Sequence, residues 1–286
     1  MDAAVPRRLW TLLEPLHAVT YFAPPARQAF EDAGYHGFWR GYFAGRAAPL
    51  GPVDAAPVTA LFYGFAPRMV ARALPSVWDL APPAAALVAR RRGAEAALTQ
   101  IFAAPSVPVD GERPAALAVL LRRAVEAADG GGRVLGAANA ALSWPDEPVA
   151  ALWHAATVLR ELRGDGHVAA LLTAGVTGLE ALVLRSARDL DRDVLQEARG
   201  WTDQEWQAAA DDLRSGGLVD RDDRITPRGA ALLDDVETVT DHLAAQPWHV
   251  LGAREVDAVI ELLTPLARAA STVLPERTPI GLPALP

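Results

Sequence analysis

Cysteine is absent from this 286-residue chain. Its absence excludes disulfides, thiolate metal ligands, iron–sulfur clusters and cysteine nucleophiles, and it fits a reducing compartment. No apolar run approaches the roughly 18 residues of a membrane span. Glu14, Pro15 and His17 interrupt the early apolar segment in which a secretory signal would lie. We therefore expect a cytoplasmic protein that does not enter a membrane.

Positive charge and cofactor-binding loops are also scarce. Lysine is absent, the net charge is −8 and the pI is about 5.3, so long-range repulsion opposes binding to a phosphate backbone. The glycine loops of Rossmann and P-loop proteins and the elbow of α/β hydrolases are missing, and Gly130–Gly132 is interpreted as a linker. We predict no cofactor. Because 51% of the residues are hydrophobic and 22% charged, the chain is expected to fold.

Four landmarks recur at a nearly constant distance along the chain. Their offsets are 143, 141, 145 and 142 residues, for the pairs Leu9-Trp10 and Leu152-Trp153, Ala33-Gly34 and Ala174-Gly175, Leu98 and Leu243, and Leu120-Leu121 and Leu262-Leu263. A constant offset is the signature of an internal repeat. It predicts a tandem duplication, with a first repeat at 1–142 and a second at 143–286. The alternative is two unrelated helical bundles.

The second repeat carries the clearest local signals. Apolar periodicity predicts helices over 149–162, 167–174, 177–185 and 191–198. Thr202-Asp203-Gln204-Glu205 is a capping box that begins a helix to about Arg214, and Gly216-Gly217 ends it. Short strands at 218–219 and 224–226 would flank an Asp222-Asp223 turn, and Pro227 begins a helix to about Ala245. This order of elements is typical of a winged helix-turn-helix.

Two resemblances accompany this pattern. Residues 200–229 and the capped helix within them resemble the winged helix of MarR-type regulators. Over nearly the whole chain, the sequence resembles a family of actinobacterial proteins called SalK-like or simply helix-turn-helix family, in the segments Glu14–Ala18, Tyr21-Phe22, Gly45–Gly51, Arg160-Glu161 and Arg163–His167. The second resemblance supplies no activity.

The expected fold is mainly α, a tandem duplication of a winged-helix (MarR-like) unit with small β-wings in a pseudo-twofold arrangement. Many MarR-type proteins are dimers with ligand pockets between the wing and the dimerisation helices. A fused duplication would enclose such a pocket within one chain, which is an analogy at the level of the fold.

The predicted recognition segment is poorly suited to DNA. The segment from Asp191 to Gly216 contains seven acidic residues and only three arginines. A recognition helix, in contrast, needs basic or amide side chains at base edges. The corresponding part of the first repeat, 57–75, is aromatic and apolar, which favours a buried or ligand-facing surface. Arg90-Arg91-Arg92 is the strongest opposing feature, but short basic runs are more typical of a solvated helix face.

The first candidate site lies in the first predicted helix. Glu14 and His17 are three residues apart, so they share a helical face, and Tyr21 follows one turn later. A histidine titrates near neutrality and a neighbouring carboxylate can set its tautomer, so these three residues are candidates for acid/base catalysis. The alternative is a carboxylate and a histidine that satisfy each other at a helix end.

The second repeat supplies matching polar residues. Arg160, Glu161, Arg163, Asp165 and His167 are candidate ligand-binding residues, because the repeat offset places Arg160 opposite His17 and a pseudo-twofold axis would direct both helix ends to one cavity. The alternative is an ion-pair network that fixes a turn before the next helix.

An aromatic, glycine-rich segment at 35–51 completes the candidate site. Its glycines recur every four residues, at 37, 41 and 45, so another backbone or a flat ligand could approach one helix face. Tyr42, Arg46 and the later Tyr63 are predicted to bind a ligand, with Arg46 as the anchor for an anion. The alternative is an aromatic core. No metal-ligand motif is present, and we predict no metal site.

These features favour a small-molecule-binding protein whose ligand is an aromatic or amphipathic metabolite held between the repeats. An enzyme that needs no cofactor is one form of this hypothesis, with Arg46 and Arg160 orienting an anionic or carbonyl group. The alternatives are a ligand-responsive DNA-binding regulator and a protein-interaction scaffold that uses the acidic helix at 202–214. The expected partner is a small molecule, nucleic acid is disfavoured, and the chain is expected to be a monomer or a homodimer.

Overall fold

The computed structural model describes residues 4–104, 112–282 and 285, and this part of the chain is mainly helical. The first half contains α1 (Val5–Phe22), α2 (Pro24–Asp32), α3 (Phe38–Ala47), α4 (Ala55–Leu61), α5 (Pro67–Ala71), α6 (Val77–Leu80), α7 (Pro83–Phe102), α8 (Arg113–Glu126) and α9 (Val134–Ala140). The second half contains α10 (Pro148–Thr173), α11 (Gly178–Arg188), α12 (Arg192–Arg199), α13 (Asp203–Ser215), α14 (Pro227–Ala244) and α15 (Ala253–Ser271).

Local sequence explains where most of the long helices begin. Pro83, Pro148 and Pro227 occupy the first positions of α7, α10 and α14, where the fixed φ of proline suits a helix and its missing N–H costs nothing. Thr177 and Thr202 form capping boxes at the starts of α11 and α13. The predicted capped helix and the predicted helix after Pro227 are both confirmed.

Helix α10 differs from its prediction. The sequence pattern predicted two helices, over 149–162 and 167–174, but one helix runs through the Gly164-Asp165-Gly166 segment without a break. Gly166 packs against α14, since a Cβ placed there would lie 3.3 Å from the Leu243 Cβ. The two glycines are therefore helical residues, and the turn predicted at Arg163–His167 does not exist.

The predicted β-wing is reduced to a single antiparallel bridge between Val219 and Ile225, and the described residues contain no longer strand. The ladder cannot extend because Thr226 caps α14, where its hydroxyl accepts a hydrogen bond from the Gly229 N–H. At the corresponding place in the first half, the chain forms turns and the short helix α6.

The buried side chains form three clusters. The central cluster joins α1, α2, α7 and α8 of the first half to α10 and α15 of the second, with fully buried residues such as Leu12, Leu121, Trp153 and Leu263. A second cluster, rich in aromatic rings, lies among α3–α6, which we call the first lobe. A third lies among α11–α14, and we call α11–α13 with the bridge the second lobe. The two halves thus share one central core.

The two lobes also touch each other directly. The Ala66 N–H donates to the Arg199 carbonyl at 2.9 Å, and the Trp201 indole donates to the Gly64 carbonyl at 2.9 Å. Gly178 fits only because it lacks a side chain, since a Cβ there would lie 1.8 Å from the Tyr63 carbonyl oxygen. These contacts fix the first lobe against the second and close one side of the space between the halves.

Within the described residues, no single helix is long and apolar enough to cross a membrane, and α10 and α11 meet the criteria of length and composition only together, as a pair bent by 96°.

Candidate functional site

A cavity of about 370 Å³ opens between the two halves. Its walls come from α1, α3, α10, α11, α12 and α14 and from residues 279–280, which follow the last helix. Its volume lies within the range of typical small-molecule pockets, which is roughly 300–1,000 Å³. Seven of the predicted site residues line it: Glu14, Tyr21, Tyr42, Arg46, Arg160, Arg163 and His167. The remaining four, His17, Tyr63, Glu161 and Asp165, lie outside its lining.

Glu14 is held by α1 and α10 together. Its buried carboxylate accepts hydrogen bonds from the Arg160 Nε at 3.1 and 3.2 Å, and from the Trp10 indole at 2.9 Å. Burial alone would raise the pKa of Glu14, but the charge of Arg160 and the hydrogen bonds from Arg160 and Trp10, acting with His17, together outweigh burial, and the pKa is lowered. Glu14 is therefore an ionised acceptor with established partners.

Glu161 links the two arginines that were predicted to orient a ligand. It accepts two hydrogen bonds from Arg46, each at 3.0 Å, and one from the Arg160 Nη1 at 3.1 Å. Burial would raise its pKa, but Arg46 and Arg160 lower it well below the ordinary range. Arg46 also donates to the Tyr42 hydroxyl at 3.2 Å. The charges of Arg46 and Arg160 are thus already balanced by Glu14 and Glu161, so Arg46 is not a free anchor for an anion.

His17 lies behind Tyr21. Its Nδ1 is 3.0 Å from the Thr157 hydroxyl and its Nε2 is 2.9 Å from the Tyr21 hydroxyl, so both ring nitrogens are occupied. Burial, together with the charge of Arg160, lowers the pKa of His17 to about 3. The alternative, in which His17 and Glu14 hydrogen-bond each other, does not hold, because each has other partners. At neutral pH His17 is an uncharged residue that orients Tyr21.

The far wall of the cavity is polar. Arg163 donates to Glu237 and to Asp241, both at 2.9 Å, and its guanidinium lies 4.3 Å from the centre of the Trp10 ring. The His167 Nδ1 is 3.0 Å from the Thr240 hydroxyl, and burial lowers the pKa of this histidine. Arg163 thus forms ion pairs, as in the alternative to ligand binding, but these ion pairs join α10 to α14 instead of fixing a turn.

Tyr63 and Asp165 have structural partners away from the cavity. The Tyr63 hydroxyl donates to the Val176 carbonyl at 2.8 Å, across the contact between the lobes. The Asp165 carboxylate accepts the Gly136 N–H at 2.9 Å, near the start of α9. Burial raises the pKa of Asp165 to about 6. The predicted ligand-binding roles of these two residues therefore find no geometric support.

The glycine stripe of α3 is occupied by protein. A Cβ at Gly41 would lie 3.1 Å from Phe30, and a Cβ at Gly45 would lie 2.5 Å from the end of the Phe30 ring. The flat group that approaches this helix face is thus the Phe30 side chain of α2. The side of α3 that faces the cavity carries Phe38, Trp39 and Tyr42.

Sequence reasoning missed several residues of the cavity. Trp10 precedes Glu14 by four residues on the same face of α1, a spacing that was visible in the sequence. Arg199 ends α12 and meets the Pro279 carbonyl at 3.2 Å, eighty positions later in the chain. No local sequence pattern predicts a contact between residues so far apart along the chain.

The N-terminus of α13, the predicted recognition helix, contacts the first lobe through Glu205, while Thr202, Asp203 and Gln204 remain exposed. The Arg68 guanidinium of the first lobe forms two hydrogen bonds with Glu205, at 2.7 and 2.6 Å, and also contacts the Gly200 carbonyl. Recognition helices contact bases chiefly through their N-terminal residues. The proposed scaffold surface is affected as well, because Glu205 is engaged within the chain.

The arginine run at 90–92 does not form one surface patch. Arg90 is buried, where it donates to the Gly45 carbonyl at 3.1 Å and to the Asn139 side chain at 2.8 Å. Burial lowers its pKa to about 10. Arg91 lies 3.9 Å from Glu95. The basic feature that favoured nucleic-acid binding is therefore divided between the interior and the surface. Within the described ranges, no group of three or more His, Asp or Glu side chains could hold a metal ion.

Comparison with known proteins gives one family. Residues 6–275 match the sequence profile of a helix-turn-helix family. The chain belongs to this family. No match was found among curated proteins or among solved structures. Membership in a helix-turn-helix family suggests a protein of the DNA-binding regulator type, whereas it does not by itself assign the chain to the SalK-like or MarR-type groups.

Proposed function

We propose that this helix-turn-helix protein is a tandem winged-helix chain that binds a small aromatic or amphipathic molecule in the cavity between its halves. One observation carries the proposal. The cavity lies where the two halves meet, and it combines exposed aromatic faces with converging arginines. Pockets with apolar walls and a few convergent polar groups are the usual form of ligand sites.

The order of helices supports the duplication. α1 and α10 begin 143 residues apart, α3 and α11 140, α7 and α14 144, and α8 and α15 140. The four helices come in the same order in each half. In each half the lobe begins with the second of these helices and ends before the third. In this proposal the central core replaces the dimer interface of two separate chains, and the cavity is internal to one chain.

A glycine in the cavity wall supports ligand binding. Gly164 lies in the interior of α10, where glycine costs about 1 kcal/mol relative to alanine. Packing does not require it, because the nearest atom to an added Cβ would be the Glu161 Oε2, at 3.8 Å. The missing side chain keeps the cavity open at a cost to the helix, which is expected where space is needed for a ligand.

Native mass spectrometry of the protein purified from its host tests the proposal. Gly164→Leu fills the cavity without a backbone clash, and Ala169→Leu places the same side chain on the exposed face of the same helix. We expect the wild type and Ala169→Leu to carry an additional mass that Gly164→Leu lacks. The same bare mass for all three proteins, when compared with denatured spectra, would contradict the proposal.

A catalytic form of the proposal uses Glu14 and Tyr21, which line the cavity, with His17 positioning Tyr21. It predicts that a retained molecule is chemically changed over time by the wild type. Tyr21→Phe keeps the ring and removes the hydroxyl, so conversion would stop while binding persists.

A second candidate function is ligand-responsive regulation of transcription, which the helix-turn-helix family favours. The acidic face of α13 opposes it, and so does the engagement of Glu205 by Arg68 at the start of this helix. Fluorescence anisotropy with genomic duplexes at low salt tests DNA binding, because phosphate contacts are strongest there. Salt-dependent binding to a specific duplex would support regulation. We expect none, and also none for Arg68→Ala, which frees Glu205 but leaves the acidic face of α13.

A further inference from the structure

The arginines around the cavity outnumber the carboxylates that they contact. Five arginines line it, and Arg7 shares the carboxylates of α14 with Arg163, so six positive charges are involved. The acidic partners of these arginines are five: Glu14, Glu161, Asp189, Glu237 and Asp241. One positive charge is therefore left without a carboxylate.

The uncompensated charge belongs to Arg199. Within the described residues, no carboxylate oxygen lies within ion-pair distance of its guanidinium, which stands over the Phe65 ring at 4.6 Å from the ring centre. The Arg199 Nη2 donates one hydrogen bond to the Pro279 carbonyl, at 3.2 Å. Burial lowers the pKa of Arg199, and the nearby charges of Arg46 and Arg160 lower it further. A guanidinium has five N–H donors, so several remain for another acceptor.

One wall of the cavity is aromatic, and Phe65 links it to Arg199. Phe38 and Tyr42 are stacked with 6.1 Å between ring centres, and Trp39 meets Tyr42 edge-on at 5.6 Å. Phe38 is 39% exposed although it is a large apolar side chain. Aromatic rings gain free energy from such stacking beyond the area that they bury. An exposed ring at the cavity is therefore suited to cover another flat ring.

We infer that the ligand is an aromatic monoanion whose oxyanion pairs with Arg199 while its ring lies against Phe38, Trp39 and Tyr42. This inference rests on the proposed function and adds the charge of the ligand. A single negative charge completes the balance of the cavity, whereas a neutral ligand would leave Arg199 without a counter-ion. Arg46 and Arg160 are not the anchor, because their carboxylate partners are already in place.

Four naphthalene probes of similar size separate the possibilities by isothermal titration calorimetry. 2-Naphthoate and 2-naphthalenesulfonate carry one charge, 2-naphthyl phosphate carries about two at pH 8, and 2-naphthamide carries none. We expect the two monoanions to bind at least tenfold more tightly than the amide, since hydrogen bonds to charged groups are the stronger ones. The phosphate should bind less tightly than the monoanions. Equal affinity for the amide, or tighter binding of the phosphate, would overturn the monoanion assignment.

Substitutions at Arg199 locate the charge recognition. Arg199→Gln should reduce affinity for 2-naphthoate about tenfold or more and change affinity for 2-naphthamide less than twofold. Arg199→Lys keeps the positive charge and should retain the preference for the anion, which separates loss of charge from loss of folding. The matched control is Arg188→Gln, which removes an arginine of α11 that pairs with Asp234 outside the cavity. A preference for the anion that survives Arg199→Gln would contradict the role of Arg199.

The outcomes distinguish this inference from the proposed function. Binding of the amide as well as the anions, abolished by Gly164→Leu, would support a ligand cavity and overturn the charge assignment. Binding of the anions that Gly164→Leu leaves unchanged would place them elsewhere and overturn both. Failure of all four probes to bind at millimolar concentration would contradict an aromatic ligand in this cavity.

Discussion

The two lobes, one in each half of the chain, differ in what they present to the cavity. The first lobe is built on a cluster of aromatic rings, and four of its residues line the cavity: Phe38, Trp39, Tyr42 and Arg46. The second lobe is built on capped helices with charged outer faces, and it reaches the cavity through Arg185 of α11 and the end of α12. The five-residue α5 of the first lobe has no side-chain cap.

The difference separates an aromatic lobe that lines much of the cavity from a lobe of capped helices. The second lobe carries the local signals of a helix-turn-helix, including the Thr202 capping box. The first lobe has no such cap at α5, and its Arg68 contacts Glu205 at the N-terminus of α13.

The largest effects are expected from truncating one core ring in each lobe. Phe43→Ala and Trp206→Ala each remove a side chain that is at most 2% exposed, so each should lower the free energy of unfolding by about 3–5 kcal/mol. They should differ in binding. Phe43 supports Tyr42, with 5.3 Å between the ring centres, so only Phe43→Ala should also weaken binding of 2-naphthoate.

Urea denaturation at low temperature measures the free energy of unfolding of each variant. Titration calorimetry under conditions in which the variants are folded measures their affinity for 2-naphthoate. An equal loss of binding in Trp206→Ala, under conditions in which both variants are folded, would show that the second lobe contributes to the cavity as much as the first.

The central helices give the next effect, which depends on pH. His154 of α10 is buried beside Trp144, and burial, together with the charge of Arg90, lowers its pKa to about 4. The unfolded pKa is about 6.5, so the unfolded chain binds more protons between these values. The contribution of neutral His154 to the free energy of unfolding is therefore complete above pH 6.5 and is lost as the pH falls toward 4.

His154→Phe removes this proton and keeps a buried ring. Between pH 7 and pH 5, the wild type should lose about 2 kcal/mol more stability than the variant, from about 1.4 kcal/mol per pH unit. Unfolding curves at both pH values measure the difference. Asp165, whose pKa is raised, contributes with the opposite sign in both proteins, so the comparison cancels it. If the stability of the wild type and of His154→Phe changed equally with pH, the lowered pKa assigned to His154 would be contradicted.

A smaller effect tests the capped start of α13. Thr202→Ala removes the hydroxyl that accepts the Glu205 N–H, and should cost about 1 kcal/mol of stability. Thr202→Ser keeps the acceptor and serves as the control. The first lobe offers no equivalent cap to remove, because Ala66 precedes α5. Thermal unfolding of both variants measures the cost, and an alanine variant as stable as the serine variant would refute the role of the cap.

The smallest effect is expected at the exposed ion pair between the lobes. Arg68 and Glu205 have side chains 45% and 38% exposed, so a double-mutant cycle with Arg68→Ala and Glu205→Gln should give a coupling of only about 0.2–1 kcal/mol. The two lobes are held mainly by backbone contacts such as Ala66 with Arg199. A coupling of several kcal/mol would mean that the ion pair governs the arrangement of the lobes.

Sequence reasoning located signals that depend on neighbouring residues. The cap at Thr202 and the helix after Pro227 follow from local sequence signals. Glu14 and Tyr21 of the first predicted helix line the cavity, but His17, which was predicted to share the face of Glu14, lies behind Tyr21. The repeat offset placed Arg160 opposite His17, and in the structure the Arg160 guanidinium contacts Glu14. These parts of the fold and the site could therefore be predicted.

The rest depended on tertiary contacts that leave no local pattern. Gly164 and Gly166 suggested a turn, but packing of α10 against α14 keeps the helix continuous. Arg46 was predicted as the anion anchor because its partner Glu161 lies 115 positions away. Arg199 was missed because its role arises from the absence of a carboxylate among residues brought together only by folding.

The measurement that tests the central claim most directly is a crystal structure of the protein purified from its natural host. The account predicts electron density for a non-protein molecule between Trp39 and Arg199, with a flat part against the aromatic side and an oxygen atom near the Arg199 guanidinium. Ordered water alone in this cavity, or a bound molecule at another place, would contradict it.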